Sequence, residues 1–123
     1  MDVRRYPRSR RHPWFNREVL ERALPQRGIR YVWLGDLLGG LGRDYTSYMC
    51  TPEYREGIER LEALAEEATI AVMCAEAYWL RCHRRYIAES LAARGHQVLH
   101  ILGEGRVEPH RSLREMGEEL RCV

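Results

Sequence analysis

The chain has 123 residues, 45% of them hydrophobic, which suits a single domain spanning residues 1–123 with a modest core. Charged residues make up 31%, yet the formal net charge is only +2, which excludes a uniformly basic or acidic protein. No run is long and apolar enough for a membrane span, and no signal-peptide pattern opens the chain.

The charge is uneven along the chain. The first twelve residues carry Arg4, Arg5, Arg8, Arg10 and Arg11 against Asp2 alone, a local net of +4. All 20 basic side chains are Arg, so every one of them can bind a phosphate or carboxylate as a fork. The four cysteines, Cys50, Cys74, Cys82 and Cys122, lack the spacing of a disulfide framework or a zinc knuckle. That pattern points to a reduced, cytoplasmic protein.

Residues 1–6 read as the end of a strand, and residues 7–15 as a loop, because Pro7 and Pro13 deny it a helix. Asn16 is placed to cap a helix bearing Val19, Leu20, Ala23 and Leu24, which stops near Pro25 and Gly28. Residues 29–34 are β-rich and short, hence a strand, and residues 35–42 form a glycine-rich loop. A short helical piece covers 45–50. Thr51 then caps a helix with Pro52 at its first position and Tyr54, Ile58, Leu61 and Ala65 as its buried stripe.

Residues 69–73 are apolar throughout, as a central parallel strand requires. A helix beginning near Trp79 or Leu80 and ending at Gly95 follows, then a strand at 97–102 and a turn at 103–110. Ser112 and Glu115 make a capping box for a last helix with Leu113, Met116 and Leu120. Strands alternating with helices imply an α/β fold: three layers, with a mainly parallel sheet flanked by helices.

The densest chemistry lies just beyond the expected central strand. Cys74 ends that strand, where the crevice outside the carboxyl ends of a parallel sheet binds ligands. It reads either as a thiolate nucleophile or as a small buried apolar residue. With a helix from Trp79 or Leu80, Arg84 falls on the midline of the stripe Ile87, Ala88, Leu91 and Ala92 and points inward. A guanidinium there needs an anion: Glu76, Asp2 or a bound phosphate. His83 falls on the flank of the stripe, as a general base or as a histidine satisfied by a backbone carbonyl. Cys82 falls on the opposite side, with a packing or loop-stabilising role. Cys74, Cys82, His83 and His100 lack the close ligand pair of a usual zinc site.

The arginine loop is the second signal. Arg8 and its neighbours are interleaved with Tyr6 and followed by Trp14 and Phe15, a mixture suited to phosphates with stacked bases or to a solvated loop. The Gly39, Gly40 and Gly42 loop lacks a phosphate-loop or dinucleotide fingerprint.

The chain resembles the bacterial and archaeal proteins grouped as domain of unknown function family 488. The segments that carry the resemblance run in order: Asp2-Val3-Arg4-Arg5-Tyr6-Pro7-Arg8-Ser9, Phe15-Asn16, Gly28-Ile29-Arg30-Tyr31, Leu38-Gly39-Gly40, Tyr48-Met49, Thr51-Pro52-Glu53-Tyr54, Cys74-Ala75-Glu76 and Cys82-His83-Arg84. The resemblance implies an α/β domain and fixes no reaction. Two departures stand out. Trp79 replaces the family's usual proline, and the family's opening strand, polar turn and helix are missing before Asp2. Met1 stands where the family has an apolar residue, often Val, which implies a start assigned inside a longer reading frame; the intact mass of the protein from its native host checks this.

Asp2, Arg4, Cys74, Glu76, His83 and Arg84 are therefore expected to converge at the carboxyl edge of the sheet. In an enzyme on a phosphate-bearing substrate, Cys74, Glu76 and His83 carry the chemistry, and Asp2, Arg4, Arg84 and Arg8 hold the ligand. The alternatives are a non-catalytic nucleic-acid-binding module and a protein-interaction module whose polar cluster is an internal ion-pair network. The partners implied are a nucleotide, a phosphorylated metabolite or a nucleic acid, with a homo-oligomer formed through an exposed sheet edge. The residues name no cofactor and no membrane.

Overall fold

The computed structural model describes residues 1–40 and 44–123. Among these residues lie five helices: α1 (Arg17–Gln26), α2 (Gly35–Leu38), α3 (Tyr45–Tyr48), α4 (Pro52–Glu67) and α5 (Arg84–Ala93). Two strands follow, β1 (Leu99–Gly103) and β2 (Arg106–Pro109), and short 3-10 turns sit at Pro13–Phe15 and Trp79–Arg81. No helix among them is long and apolar enough to cross a membrane.

The expected three-layer, mainly parallel sheet is not what forms. The one sheet among the described residues is the antiparallel pair β1–β2. The three segments expected as parallel strands meet only in isolated bridges, Asp2 with Trp33 and Asp2 with Met73. Five main-chain bonds hold them: Asp2 N to Val32 O (2.9 Å), Leu34 N to Asp2 O (2.8 Å), Val3 N to Met73 O (3.0 Å), Met73 N to Met1 O (2.8 Å) and Met1 N to Ala71 O (2.8 Å). A ladder needs successive backbone partners. Here the next donor, Arg4 N, turns to the Asp2 side chain (3.1 Å). Its partner on that side is lost as well, since α2 begins at Gly35, directly after Leu34, and on the Met73 side the Val3 carbonyl meets His83 Nε2.

That early turn depends on Gly35, expected as the start of a loop. A Cβ there would lie 1.9 Å from the Arg4 carbonyl oxygen, so only glycine lets the first segment pass α2 this closely. Gly42, the last glycine expected in that loop, lies outside the described residues.

Helix α4 follows its sequence. Thr51 Oγ1 accepts from Tyr54 N (3.2 Å), and Pro52 fills the first position. Tyr54, Gly57, Ile58 and Leu61 recur every three or four residues and are buried, each large apolar side chain contributing about 1.5–3 kcal/mol. They pack with Val3, Leu34, Leu38 and Ile87 in the core. In α1, by contrast, Asn16 Oδ1 accepts from Ser9 N (2.6 Å), so the expected cap ties down the arginine loop.

The C-terminal region departs most from the pattern. β2 occupies the stretch expected as a turn, pairing His100 with Glu108 and Ile101 with Val107. The capping box at Ser112 keeps one bond, Glu115 N to Ser112 Oγ (3.5 Å), but yields one turn rather than a helix, which ends at Gly117 with φ +96°. Cys50 and Cys122, expected to be reduced, are joined in a disulfide.

Candidate functional site

The site is built where the 3-10 turn of Trp79–Arg81 hands over to α5. Trp79 is buried and anchors the turn, and the helix proper begins at Arg84, not at Trp79. Cys82 therefore precedes the helix. It is not on the far face of α5, as a helix extrapolated back to Trp79 requires. Its sulfur turns toward the segment leaving Met73 and meets Cys74 at 3.1 Å.

Three donors converge on Cys82 Sγ: the Cys74 thiol (3.1 Å), Arg84 N (3.3 Å) and Arg84 Nε (3.1 Å). Arg84 N is also the first amide of α5, where the helix dipole favours negative charge. The Cys74 bond, helped by Arg84 and opposed by burial, lowers the Cys82 pKa to about 5. Cys74 moves the opposite way, held up by its bond to Cys82 and by burial. The two shifts oppose each other, so negative charge on the pair is favoured at Cys82 and the proton at Cys74.

Arg84 is fixed by the main chain as well. Nη2 donates to Glu76 O (2.6 Å) and to Ala77 O (3.2 Å). The Glu76 carboxylate is exposed and accepts instead from Tyr78 N (3.3 Å). Cys74 Sγ accepts from Glu76 N (3.3 Å), so residues 74–76 form a tight turn around the sulfur.

His83 links this cluster to the first segment. Its Nε2 lies 3.1 Å from the Val3 carbonyl, which can only accept, so Nε2 carries a hydrogen. The ring rests against Tyr45, with centroids 5.2 Å apart. Next to Val3, Asp2 and Arg4 form a buried bidentate pair, Nε to Oδ1 (2.8 Å) and Nη2 to Oδ2 (2.7 Å), and Tyr31 OH donates to Asp2 Oδ2 (2.5 Å). Burial pushes the Asp2 pKa up, but the bonds from Arg4 and Tyr31 outweigh it and leave the pKa below its ordinary value.

The expected residues thus divide into two adjoining groups. Cys74 and Arg84 contact Cys82 and are both bonded to the backbone of Glu76, while Arg4 is engaged by Asp2, and His83 bridges the two groups. Arg8 stands apart, exposed and paired with Glu18 (2.7 Å). Sequence reasoning missed the role of Cys82. The signal was its position two residues before a helix start, in the triplet Cys82-His83-Arg84.

A second polar cluster went unread. His100 Nε2 lies 2.9 Å from His110 Nδ1, and His110 Nε2 lies 3.3 Å from Glu89 Oε2. The His100 ring stacks on Trp79 at 3.8 Å, 2° from parallel, and Trp79 Nε1 donates to Glu108 (2.9 Å). Through Trp79 this cluster sits behind the thiol turn. No three His, Cys, Asp or Glu side chains group as metal ligands among the described residues.

These features define a small helix-rich domain with a dithiol and an arginine at the start of a helix. The family model described as Domain of unknown function DUF488 matches residues 1–44 and 40–91, and the chain belongs to that family. The matched span contains Cys74, Cys82, His83 and Arg84; the β1–β2 hairpin lies beyond it. No curated protein and no solved structure matches the chain.

Proposed function

We propose that this protein is a cysteine-dependent enzyme in which Cys82 is the nucleophile, Arg84 holds its thiolate and Cys74 is the neighbouring acid. One observation carries the reading: three donors, one of them a guanidinium, converge on a single sulfur. A thiolate held this way attacks an electrophilic centre without first having to lose a proton. His83, fixed through Nε2, presents Nδ1 as the base, and the exposed Glu76 carboxylate at the mouth of the same turn is the second candidate for proton transfer.

Alkylation with iodoacetamide between pH 4 and 8, mapped by mass spectrometry, tests this. At pH 6 a thiol of pKa 5 holds about 300-fold more thiolate than an ordinary cysteine of pKa about 8.5. Its lower basicity makes it roughly 30-fold less nucleophilic, so a net advantage of about 10-fold is expected at pH 6 and almost none at pH 7. The expected result is labelling at Cys82 with a midpoint near pH 5, lost in Cys82→Ser. Faster labelling at Cys74, or a midpoint near 8.5, overturns the assignment.

A phosphate-bearing ligand is supported by a different surface. Arg8, Arg10 and Arg11 are exposed beside Trp14 (56% exposed) and Phe15 (49%), so cations and aromatic faces are offered together. Such a surface suits a nucleotide or a single-stranded nucleic acid. Binding of a fluorescent oligonucleotide should weaken steeply with salt, and the slope should fall by about 2 when Arg10 and Arg11 become Ala. A salt-independent signal overturns this second reading.

A further inference from the structure

We infer that Cys74 and Cys82 are a redox-modification site that closes into a reversible disulfide when a peroxide reaches the two sulfurs. The inference goes beyond the proposed catalysis, since it concerns what happens to the thiols and not what they do to a substrate.

Three features of the geometry favour closure. The two sulfurs lie 3.1 Å apart, so about 1 Å of approach by side-chain rotation reaches the bonded distance. They are also unequal: Cys82 receives the guanidinium and the first amide of α5, while Cys74 turns its thiol toward Cys82. Finally, both residues are half-buried, so neither is sealed from solvent.

The chemistry balances with the peroxide as oxidant. The Cys82 thiolate attacks one peroxide oxygen; an S–O bond forms, the O–O bond breaks and hydroxide leaves, giving a sulfenic acid on Cys82. The Cys74 sulfur then attacks the Cys82 sulfur, an S–S bond forms, and the sulfenic oxygen leaves as water with the Cys74 proton. The two sulfurs lose two electrons and the peroxide gains them. A dithiol reductant reverses the change by thiol–disulfide exchange.

Closure has a local consequence. A disulfide sulfur is uncharged and a poor acceptor, so Arg84 loses its bonds to Cys82. Its contacts with the Glu76 and Ala77 carbonyls remain. Oxidation thus removes the nucleophile and turns a thiolate-bound guanidinium into a cation open to another anion.

The test treats the full chain with one equivalent of hydrogen peroxide, blocks remaining thiols and digests with trypsin without reduction. Cleavage after Arg60, Arg81 and Arg84 places Cys74 in peptide 61–81 and Cys82 in peptide 82–84. The expected product is those two peptides linked, two hydrogens lighter than their sum, and separated again by dithiothreitol. It should vanish in Cys74→Ser, where a sulfenic acid on Cys82 is trapped by dimedone, and in Cys82→Ser. Sulfinic acid on Cys82 with Cys74 still free in the wild-type chain overturns the inference, as does a peptide linking Cys74 to Cys50. Either result leaves the alkylation profile, and with it the nucleophile assignment, standing or falling separately.

Discussion

The two cysteine pairs of this chain are chemically identical in sequence and opposite in structure. Cys50 and Cys122 are 72 positions apart and bonded, with 5.3 Å between their Cα atoms. Cys74 and Cys82 are eight apart and free, with their sulfurs at 3.1 Å. Among the described residues no guanidinium donates to Cys50 or Cys122, whereas Arg84 donates to Cys82 through its guanidinium Nε and its backbone N. The first pair fastens the C-terminal tail, including buried Leu120, against the α3–α4 junction. The second is joined by a hydrogen bond from one sulfur to the other. Neighbouring donors, and not the number of cysteines or their spacing, separate a clasp from a reactive centre.

The sharpest way to break this contrast is to remove the clasp. Loop-closure entropy for a loop of this separation amounts to about 4 kcal/mol, so Cys50→Ser with Cys122→Ser should lower unfolding stability by roughly that amount. Urea titration reads it; a loss under about 1 kcal/mol denies Cys50–Cys122 the structural role. The alkylation midpoint of Cys82 should be unchanged in the same variant.

A smaller effect is expected at Arg84. Hydrogen bonds to a charged group contribute about 1.5–3 kcal/mol, so Arg84→Gln should raise the Cys82 midpoint by about 1–2 pH units. Arg84→Lys, which restores the charge but not the fork, should recover only part. The same shift has a signature in stability. Folded Cys82 loses its proton near pH 5, while an unfolded cysteine keeps one to about 8.5. Between those values the unfolded chain binds more protons, so stability should rise with pH, and fall again above about 8.5, where folded Cys74 retains a proton that the unfolded chain has lost. Arg84→Gln should narrow the rising window from its acid side.

Much of the first half was legible in the residues, and specific physics hid the rest. Thr51, Pro52 and the stripe Tyr54, Ile58 and Leu61 specify α4 by local rules and the structure keeps them, while Ala65, expected on the same stripe, is only half-buried. The runs 29–34 and 69–73 meet the first segment at Asp2 and Val3, but only Leu34 among them is buried, and hydrophobicity does not reveal whether the backbone continues to find partners. Here Arg4 N turns to a side chain and the ladder stops. β2 was unreadable for the reverse reason. Glu108 and Pro109 disfavour strands, and it is the pairing with β1 across Gly105 that makes Arg106–Pro109 one. Cysteine spacing could not announce a bond across 72 positions. At the site, the residue types were readable and the roles were not, because a helix start displaced from Trp79 to Arg84 moved Cys82 from the far side of α5 to the centre of the cluster.

The smallest expected effect probes whether the hairpin behind Trp79 is coupled to the thiol turn. Burial, helped by His110 and Arg84 and opposed by Glu108, lowers the His100 pKa to about 4. An unfolded histidine takes its proton near 6.5, so as pH falls from 6.5 to 4 the unfolded chain binds a proton that the folded chain refuses, and stability should decline over that interval. His100→Asn removes this contribution, and the difference between the two stability–pH curves isolates it from carboxylates that titrate in both. Because His100 stacks on Trp79 and Trp79 anchors the turn that delivers Cys82, the variant should also loosen that turn and shift the Cys82 alkylation midpoint upward, by less than Arg84→Gln does. If the midpoint does not move, the hairpin stabilises the fold without tuning the thiolate, and the reactive pair owes its character to Arg84 and Cys74 alone.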